Sequence, residues 1–455
     1  MKRLLLSVFA AAITAVWAMP ATATNFTFSG QYRVRGEYRG NPSFVDGGSQ
    51  SVVLQRVRLT TNAEITNDTS VKITLQDSRA WGQTMNSNGG PRLTDMTTNE
   101  NTLDLYESYL KVDNLFGQPL SLKVGRQALV YGDERLIGAF GWNNNGRSFD
   151  AAKLTYGSDA VDIDLFASKI KETSSAAVNG GAGGDDDQDF YGIYATIKAV
   201  ANNTIDVYAL LLRDSNSSGA FGQGSAFGNT TLGGSIDGTS TLWTYGARIK
   251  GKYKAIDYTL EVPFQSGSID TTTANYDINA WAAALKGGYT LPTPMKIRIG
   301  AEYALASGDD DPNDTDLNTF SNLFPTNHGH YGFADQQGWR NMKSWNVNAT
   351  AQVNSQLKLY VAYWNFKLNE EKDGWYSAGQ WNNSTSGFRA ASSTNTEDQV
   401  GSEIDLVATY KYNSSVTAQL GWSRFFTGDF LDQSTNIGSA AEDMDFAYLQ
   451  IISNF

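Results

Sequence analysis

The chain of 455 residues contains no cysteine, which excludes structural disulfides and thiolate metal sites alike. Histidine is nearly absent. The two present are His328 and His330, and no HExxH or G-x-S-x-G pattern accompanies them, so neither a zinc protease nor a serine hydrolase has its usual parts. Positive charge is in deficit, with 35 Lys and Arg against 47 Asp and Glu and a net charge of −12. A chain of that sign is a poor ligand for nucleic acid. Beyond residues 4–18 no apolar run reaches the length of about 18 residues that a spanning helix needs. No Pro-rich linker or break in composition divides the sequence, so one domain is expected.

What is present points to the cell envelope. Lys2 and Arg3 precede an apolar stretch, and Ala21-Thr22-Ala23 offers a small-x-small cleavage site, so residues 1–23 are expected to be a cleaved signal peptide and 24–455 the mature domain. The chain holds 22 Tyr, 22 Phe, 11 Trp and 44 Gly, yet mean hydropathy is −0.36. A transmembrane barrel with a wet interior and aromatic girdles has this composition. The last residues, Asp445 to Phe455, alternate with a period of two and end on an aromatic. A water-exposed terminus would fray and be polar, whereas the closing strand of a barrel needs an apolar surround.

Similar alternation recurs along the chain. Val71, Ile73 and Leu75 oppose Lys72, Thr74 and Gln76, and Ile297, Ile299, Ala301 and Tyr303 oppose Lys296, Arg298, Gly300 and Glu302. Strands are expected over 26–39, 52–65, 69–80, 102–113, 119–127, 149–156, 161–171, 190–199, 204–213, 242–250, 254–264, 276–289, 295–306, 339–353, 356–368, 402–412, 415–426 and 445–455. This makes roughly eighteen strands joined by about eight tight turns and about nine long loops, the asymmetry of an outer-membrane barrel with short periplasmic turns and long extracellular loops. The fold class is therefore all-β: a transmembrane antiparallel barrel in the bacterial outer membrane, in contact with lipid and lipopolysaccharide. A barrel of that size leaves an aqueous lumen, hence a channel.

The inward face is expected to carry arginines beside carboxylates. Arg33, Arg35 and Glu37 share a face, as do Arg56 and Arg58; Arg79 ends the third strand, and Lys123, Lys153, Arg248, Arg298 and Arg340 follow. Guanidinium groups in a wet pore concentrate anions; equally, they can pair with Glu64, Glu107, Asp162, Asp164, Asp257 and Glu302 to stiffen the wall. Asp309, Asp310 and Asp311 could hold Ca²⁺ through oxygens but lack EF-hand spacing, and a solvated acidic loop is the preferred reading. No cofactor is expected.

The most distinctive stretch runs through Gly125-Arg126-Gln127, Tyr131-Gly132-Asp133-Glu134-Arg135-Leu136-Ile137-Gly138, Trp142, and Gly146-Arg147-Ser148-Phe149-Asp150. It resembles the alginate-export family of outer-membrane barrels, as do Ser307-Gly308-Asp309 with Leu323-Phe324-Pro325-Thr326-Asn327-His328, and Gly401-Ser402-Glu403-Ile404-Asp405 with Gly421-Trp422-Ser423-Arg424. The resemblance implies a monomeric 18-stranded barrel whose arginine-rich constriction conducts an anionic polysaccharide, with Arg126 and Arg147 as the constriction. It also implies that barrel-assembly machinery reads the terminal strand. The expected function is a passive, non-enzymatic channel for small anionic or sugar-like solutes. The alternatives are a general diffusion porin, or a surface-binding barrel whose loops 308–337 and 369–400 engage an external ligand.

Overall fold

The computed structural model describes residues 25–42, 44, 48–82, 102–172, 187–215, 239–311, 313–376, 388–389, 395–432 and 441–455; the expected signal peptide lies outside them. Twenty-one strands follow one another: β1 (Asn25–Gly40), β2 (Ser49–Thr66), β3 (Thr69–Ala80), β4 (Thr102–Val112), β5 (Leu120–Gln127), β6 (Phe149–Gly157), β7 (Val161–Lys171), β8 (Gln188–Ile197), β9 (Asn203–Asp214), β10 (Ser240–Tyr253), β11 (Ile256–Asp270), β12 (Asn275–Thr290), β13 (Arg298–Ala306), β14 (Asp316–Leu317), β15 (Met342–Gln352), β16 (Leu357–Lys367), β17 (Trp375–Tyr376), β18 (Phe388–Arg389), β19 (Gln399–Lys411), β20 (Val416–Thr427) and β21 (Met444–Asn454). The two-residue strands β14, β17 and β18 belong to loops. The other eighteen form one closed antiparallel barrel.

Closure is made by β1 against β21, in register from Gln31–Asn454 to Gly40–Asp445. Phe455 extends the seam: its N–H donates to the Gly30 carbonyl at 3.0 Å, and the Gly30 N–H donates back at 2.6 Å. The Phe455 ring lies on the outward face across Gly30, where an added Cβ would meet ring atoms at 2.5 Å. Turn chemistry is local. The Asn413 side chain accepts from the N–H groups of Ser415 and Val416 at 2.9 and 2.7 Å, and Asn354 accepts from Gln356 and Leu357, both at 2.9 Å. Each Asn thereby satisfies backbone donors that a tight turn would leave bare.

Alternation sorts the two faces. On β1, Arg33, Arg35, Glu37 and Arg39 are buried inside, while Tyr32 and Tyr38 stand exposed outside. Trp243, Trp281, Trp345 and Trp422 are exposed on the outward face with Tyr245, Tyr303 and Tyr363, forming an aromatic and aliphatic belt suited to lipid.

Two features depart from the sequence reading. The connection from β11 to β12 spans only residues 271–274, because β11 runs six residues further than expected; eight long loops remain of the nine. The lumen is also not uniformly aqueous. Toward the long-loop end its wall is apolar (Leu210, Leu212, Ile278, Ala280, Phe366 and Phe446 among others), and it packs against loop residues Leu136, Ile137, Phe320 and Trp339 in a single buried cluster.

Because the Gly30 site is closed to a side chain, Gly30→Val should weaken the seam by about 1–3 kcal/mol, the usual scale of overpacking. The readout is the melting of the compact, heat-resistant form on gels. Combining it with Phe455→Ala should restore part of the loss; strictly additive effects would contradict the ring's placement.

Candidate functional site

Two loops turn inward and meet inside the barrel. Residues 128–148 descend from β5, and residues 307–341 descend from β13. They join as a short ribbon, with Ile137 bridged in parallel to Phe324, Gly138 N–H donating to the Phe324 carbonyl at 2.9 Å, and Phe324 N–H donating to Leu136 at 2.8 Å. Residues 317–337 are therefore largely buried lumen structure, whereas 310, 311 and 313–316 are exposed. Of the second loop allowed for from sequence, 369–400, residues 377–387 and 390–394 lie outside the described residues.

Carrying backbone into a barrel strands its carbonyls away from water, and each needs a donor. The inward arginines of β1 and β2 supply them. Arg33 donates to the Gly141 carbonyl at 2.9 Å and to Asn143 at 3.0 Å, and Arg56 donates to the same two carbonyls at 3.2 and 3.0 Å. Arg35 donates to Trp142 at 2.7 Å and Arg58 to Asn145 at 3.4 Å. Gln76 and Ser78 of β3 complete the set on Asn145 and Asn144. A guanidinium, with five donors in a rigid fork, can serve two carbonyls at once.

The other loop is held by the opposite polarity. Ala334 and Phe333 N–H groups donate to Glu403 and Asp405 of β19 at 2.9 and 3.3 Å. Gly332, at φ 84°, passes so close to Glu403 that a Cβ would meet the carboxylate at 2.5 Å. Gln265 pairs with Ser321 as a strand would, donating at 2.6 Å and accepting at 2.8 Å. The loops are linked at Trp142, which stacks with Arg35 (3.7 Å to the ring centre) and with the His328 ring (3.6 Å, 6°). His328 Nδ1 lies 2.8 Å from Asp335, and His330 Nε2 lies 2.7 Å from the Asp133 carbonyl. Burial, then Arg135 and Lys286, hold His330 well below its ordinary value.

Of the residues singled out from sequence, Arg33, Arg35, Arg56 and Arg58 converge on loop 141–145. Arg147 is half-buried between the two loops, donating to the Gly138 and Pro325 carbonyls at 3.2 and 3.0 Å. Arg340 is buried in the second loop, before β15 begins, and donates to Ser321. Glu107, Asp162, Asp164 and Asp257 pair with Lys72, Lys198, Lys153 and Arg298, the wall-stiffening arrangement.

Two placements must be corrected. Arg126 is directly opposite Asp150 and pairs with it at 2.8 Å, while the neighbours Gln127, Phe149 and Ala151 are the buried ones. Arg126 therefore faces outward, in phase with Leu122 and Val124. Arg79 is likewise outward, half exposed and paired with Asp77, since Ser78 and Ala80 take the inward positions. Neither lines the lumen. The acidic run behaves differently from a solvated loop: Asp309 is buried and donates its N–H to Asp373 at 3.0 Å, whereas Asp310 and Asp311 are exposed. Among the described residues no cluster of His, Cys, Asp or Glu could hold a metal ion.

The closed barrel with loops folded into its lumen defines a porin-type outer-membrane channel. Residues 24–443 match the family described as alginate export, and the chain belongs to that family. Solved porins share the architecture. Pseudomonas aeruginosa OccK3 (OpdO) has a TM-score of 0.56 at 12% identity, over 94% of this chain and 95% of that one. P. aeruginosa OccK8 (OprE) scores 0.55 at 12%, over 95% and 98%. A BenF-like porin from Pseudomonas fluorescens Pf-5 scores 0.56 at 11%, again over 95% and 98%. At such identity the likeness is one of fold. No curated protein matches the chain closely enough to count as a relative.

Removing the shared donors in Arg33→Ala/Arg56→Ala leaves the buried Asn143 carbonyl bare, at about 1–3 kcal/mol, while the exposed Gly141 carbonyl can turn to water. Amide exchange across residues 139–146 should quicken on the order of ten- to a hundredfold by the same conversion, with barrel strands unaffected. A second measurement concerns Asp309, whose carboxyl is pushed up to about 7 by burial and by Asp373. The folded loop then binds this proton more tightly than an opened one, so its stability is greatest in acid and declines as pH rises from about 4 to about 7. Exchange at residues 309–311 should accelerate over that window, and less so in Asp309→Asn.

Proposed function

We propose that the protein is a passive, monomeric channel that passes small anionic or sugar-like solutes, its selectivity set by lysines below the inward loops. The observation that carries this reading is a row of like charges in register. Lys111, Lys123 and Lys153 lie directly opposite one another across β4, β5 and β6, an arrangement that costs stability. Lys111 and Lys153 each have a carboxylate, but among the described residues Lys123 has none within ion-pair distance; its ammonium lies 4.6 Å from the Tyr109 ring centre. Lys72 and Arg298 are inward as well, each paired with a carboxylate, Glu107 and Asp257. A wall that tolerates this repulsion gains from a mobile anion. The anionic polysaccharide in the family's description is of the same chemical class, and a row of lysines accepts carboxylate or phosphate without strict geometry.

We assign no catalytic step, since His328 and His330 are occupied in joining the loops. Residues 1–23 are taken as a cleaved leader, and the Phe455 strand as the segment read by barrel-assembly machinery. A general diffusion porin is the second reading, favoured by the many inward ion pairs, which leave a weaker net field.

In planar bilayers the channel should conduct anions in preference to cations, with the preference lost in Lys111→Gln/Lys123→Gln/Lys153→Gln. The outward Arg126→Ala variant should behave as the parent. Unchanged ion selectivity in the triple variant would remove the lysine row from the reading.

A further inference from the structure

At the tip of the first inward loop, Tyr131 to Glu134 form a tight turn closed by the Glu134 N–H donating to the Tyr131 carbonyl at 2.9 Å. Gly132 takes φ 58° there, and its Cα lies so close to the wall that an added Cβ would meet Arg248 at 3.1 Å and the Tyr194 hydroxyl at 3.2 Å. The turn therefore drives Asp133 into the barrel wall as an apex. The Asp133 carboxylate is met by Arg248 and Lys286 in direct ion pairs and by Lys250 at 3.5 Å. Its side chain is only 9% exposed. Burial opposes its ionisation, but Lys286, Arg248 and Lys250 together outweigh that and hold the carboxyl well below the usual carboxylate range.

By formal charge, the wall around the tip is balanced only with this carboxylate in place. Arg248, Lys250, Lys286 and, from the loop, Arg135 supply the positive charge. Asp206, which pairs with Arg248 at 2.7 Å, Glu302, which pairs with Arg135, and buried Glu261 supply the negative. Without Asp133 that set has one cation more than it has carboxylates. Beside the carboxylate, Tyr131 lies stacked on Tyr194 (4.3 Å, 24°), which is itself stacked on Tyr208 (5.4 Å, 8°). The tip thus presents a flat ring and a carboxylate two residues apart to a stack of aromatic rings and a trio of cations.

We infer that Arg248, Lys250, Lys286 and the Tyr194 face form a binding site for a carboxylate carried next to a ring, such as a sugar acid, occupied here by the protein's own Tyr131-Gly132-Asp133. A solute of that chemistry competes with the tip, and its binding releases the loop from the wall. The inference rests on the channel reading for its physiological meaning, though the site can be tested without conduction. An internal ligand that fills a site nine-tenths of the time lowers the apparent affinity of a competitor about tenfold.

The test is a calorimetric titration of the purified full chain in detergent with glucuronate, using glucose as the uncharged control. Asp133→Asn should bind glucuronate at least about tenfold more tightly than the parent, and Asp133→Asn/Lys286→Gln should lose that gain. Equal affinity in parent and Asp133→Asn overturns the inference, as does glucose binding as well as glucuronate. Should Asp133→Asn fail to fold, the parent chain decides alone. Saturating glucuronate should speed amide exchange at residues 131–137 about tenfold by the same displacement, and unchanged or slower exchange overturns it. Absence of current in every form, with the titration positive, would instead count against the channel reading and leave the site standing.

Discussion

Bringing two loops into the lumen of a barrel creates one constraint that the rest of the interior obeys: their backbone groups leave water and must find partners on the wall. An isolated buried carbonyl or N–H costs on the order of a lost hydrogen bond, and the stretch from Gly138 to Asn145 carries several in succession. The wall answers in two polarities. Arginines of β1 and β2 reach the carbonyls of one loop, and carboxylates of β19 receive N–H groups from the other. The charged side chains that look from sequence like a selectivity filter are in large part structural donors and acceptors for main chain.

That division explains why the lumen is apolar toward the loops and charged beneath them. Once the loop backbones are satisfied at their edges, the remaining surface between loop and wall can be apolar. Phe149, Phe190 and Phe324 pack there edge to face and give the inserted loops a hydrophobic core of their own. Below this layer the side chains facing the lumen again meet polar surroundings, and lysines with partial compensation are tolerable. On the channel reading proposed above, selectivity falls to Lys111, Lys123 and Lys153 rather than to Arg33 or Arg56. Arg147, taken from sequence as a constriction residue, sits at the junction of the two loops and serves their backbones.

The barrel itself was legible in the sequence. Period-two alternation, Asn-rich tight turns and the terminal aromatic strand located all eighteen spanning strands, because each signal is local to a hairpin. Arg79 and Arg126 were misplaced although the same alternation held their answer. Arg79 is in phase with Val71, Ile73 and Leu75, and Arg126 with Leu122 and Val124, which lie on the lipid side. Charge drew them to the lumen, whereas at the long-loop ends of β3 and β5 the outward face carries ion pairs with Asp77 and Asp150. The inward course of 307–341 could not be read locally. Its polar and glycine-rich residues resemble any exposed loop, and its partners, such as Gln265, Glu403 and Asp405, are far away in sequence.

Asp133 shows how far such non-local pairing changes the meaning of a motif. In the sequence Tyr131-Gly132-Asp133 is only a family-like string. In the barrel the glycine permits the positive φ that points the aspartate at the wall, and the wall residues come from β10 and β12, more than a hundred positions away. Ordinary wall stiffening would be met by a neighbouring-strand carboxylate, as Asp206 already does for Arg248 and Asp164 does for Lys153. Sending a loop apex to meet Lys250 and Lys286 as well as Arg248 leaves an anion-sized position that is held by a removable group. A fixed wall pair cannot be displaced without breaking the sheet, whereas a loop tip can be. That difference in attachment, more than the charge itself, makes the Arg248–Lys250–Lys286 trio suited to receive a passing carboxylate.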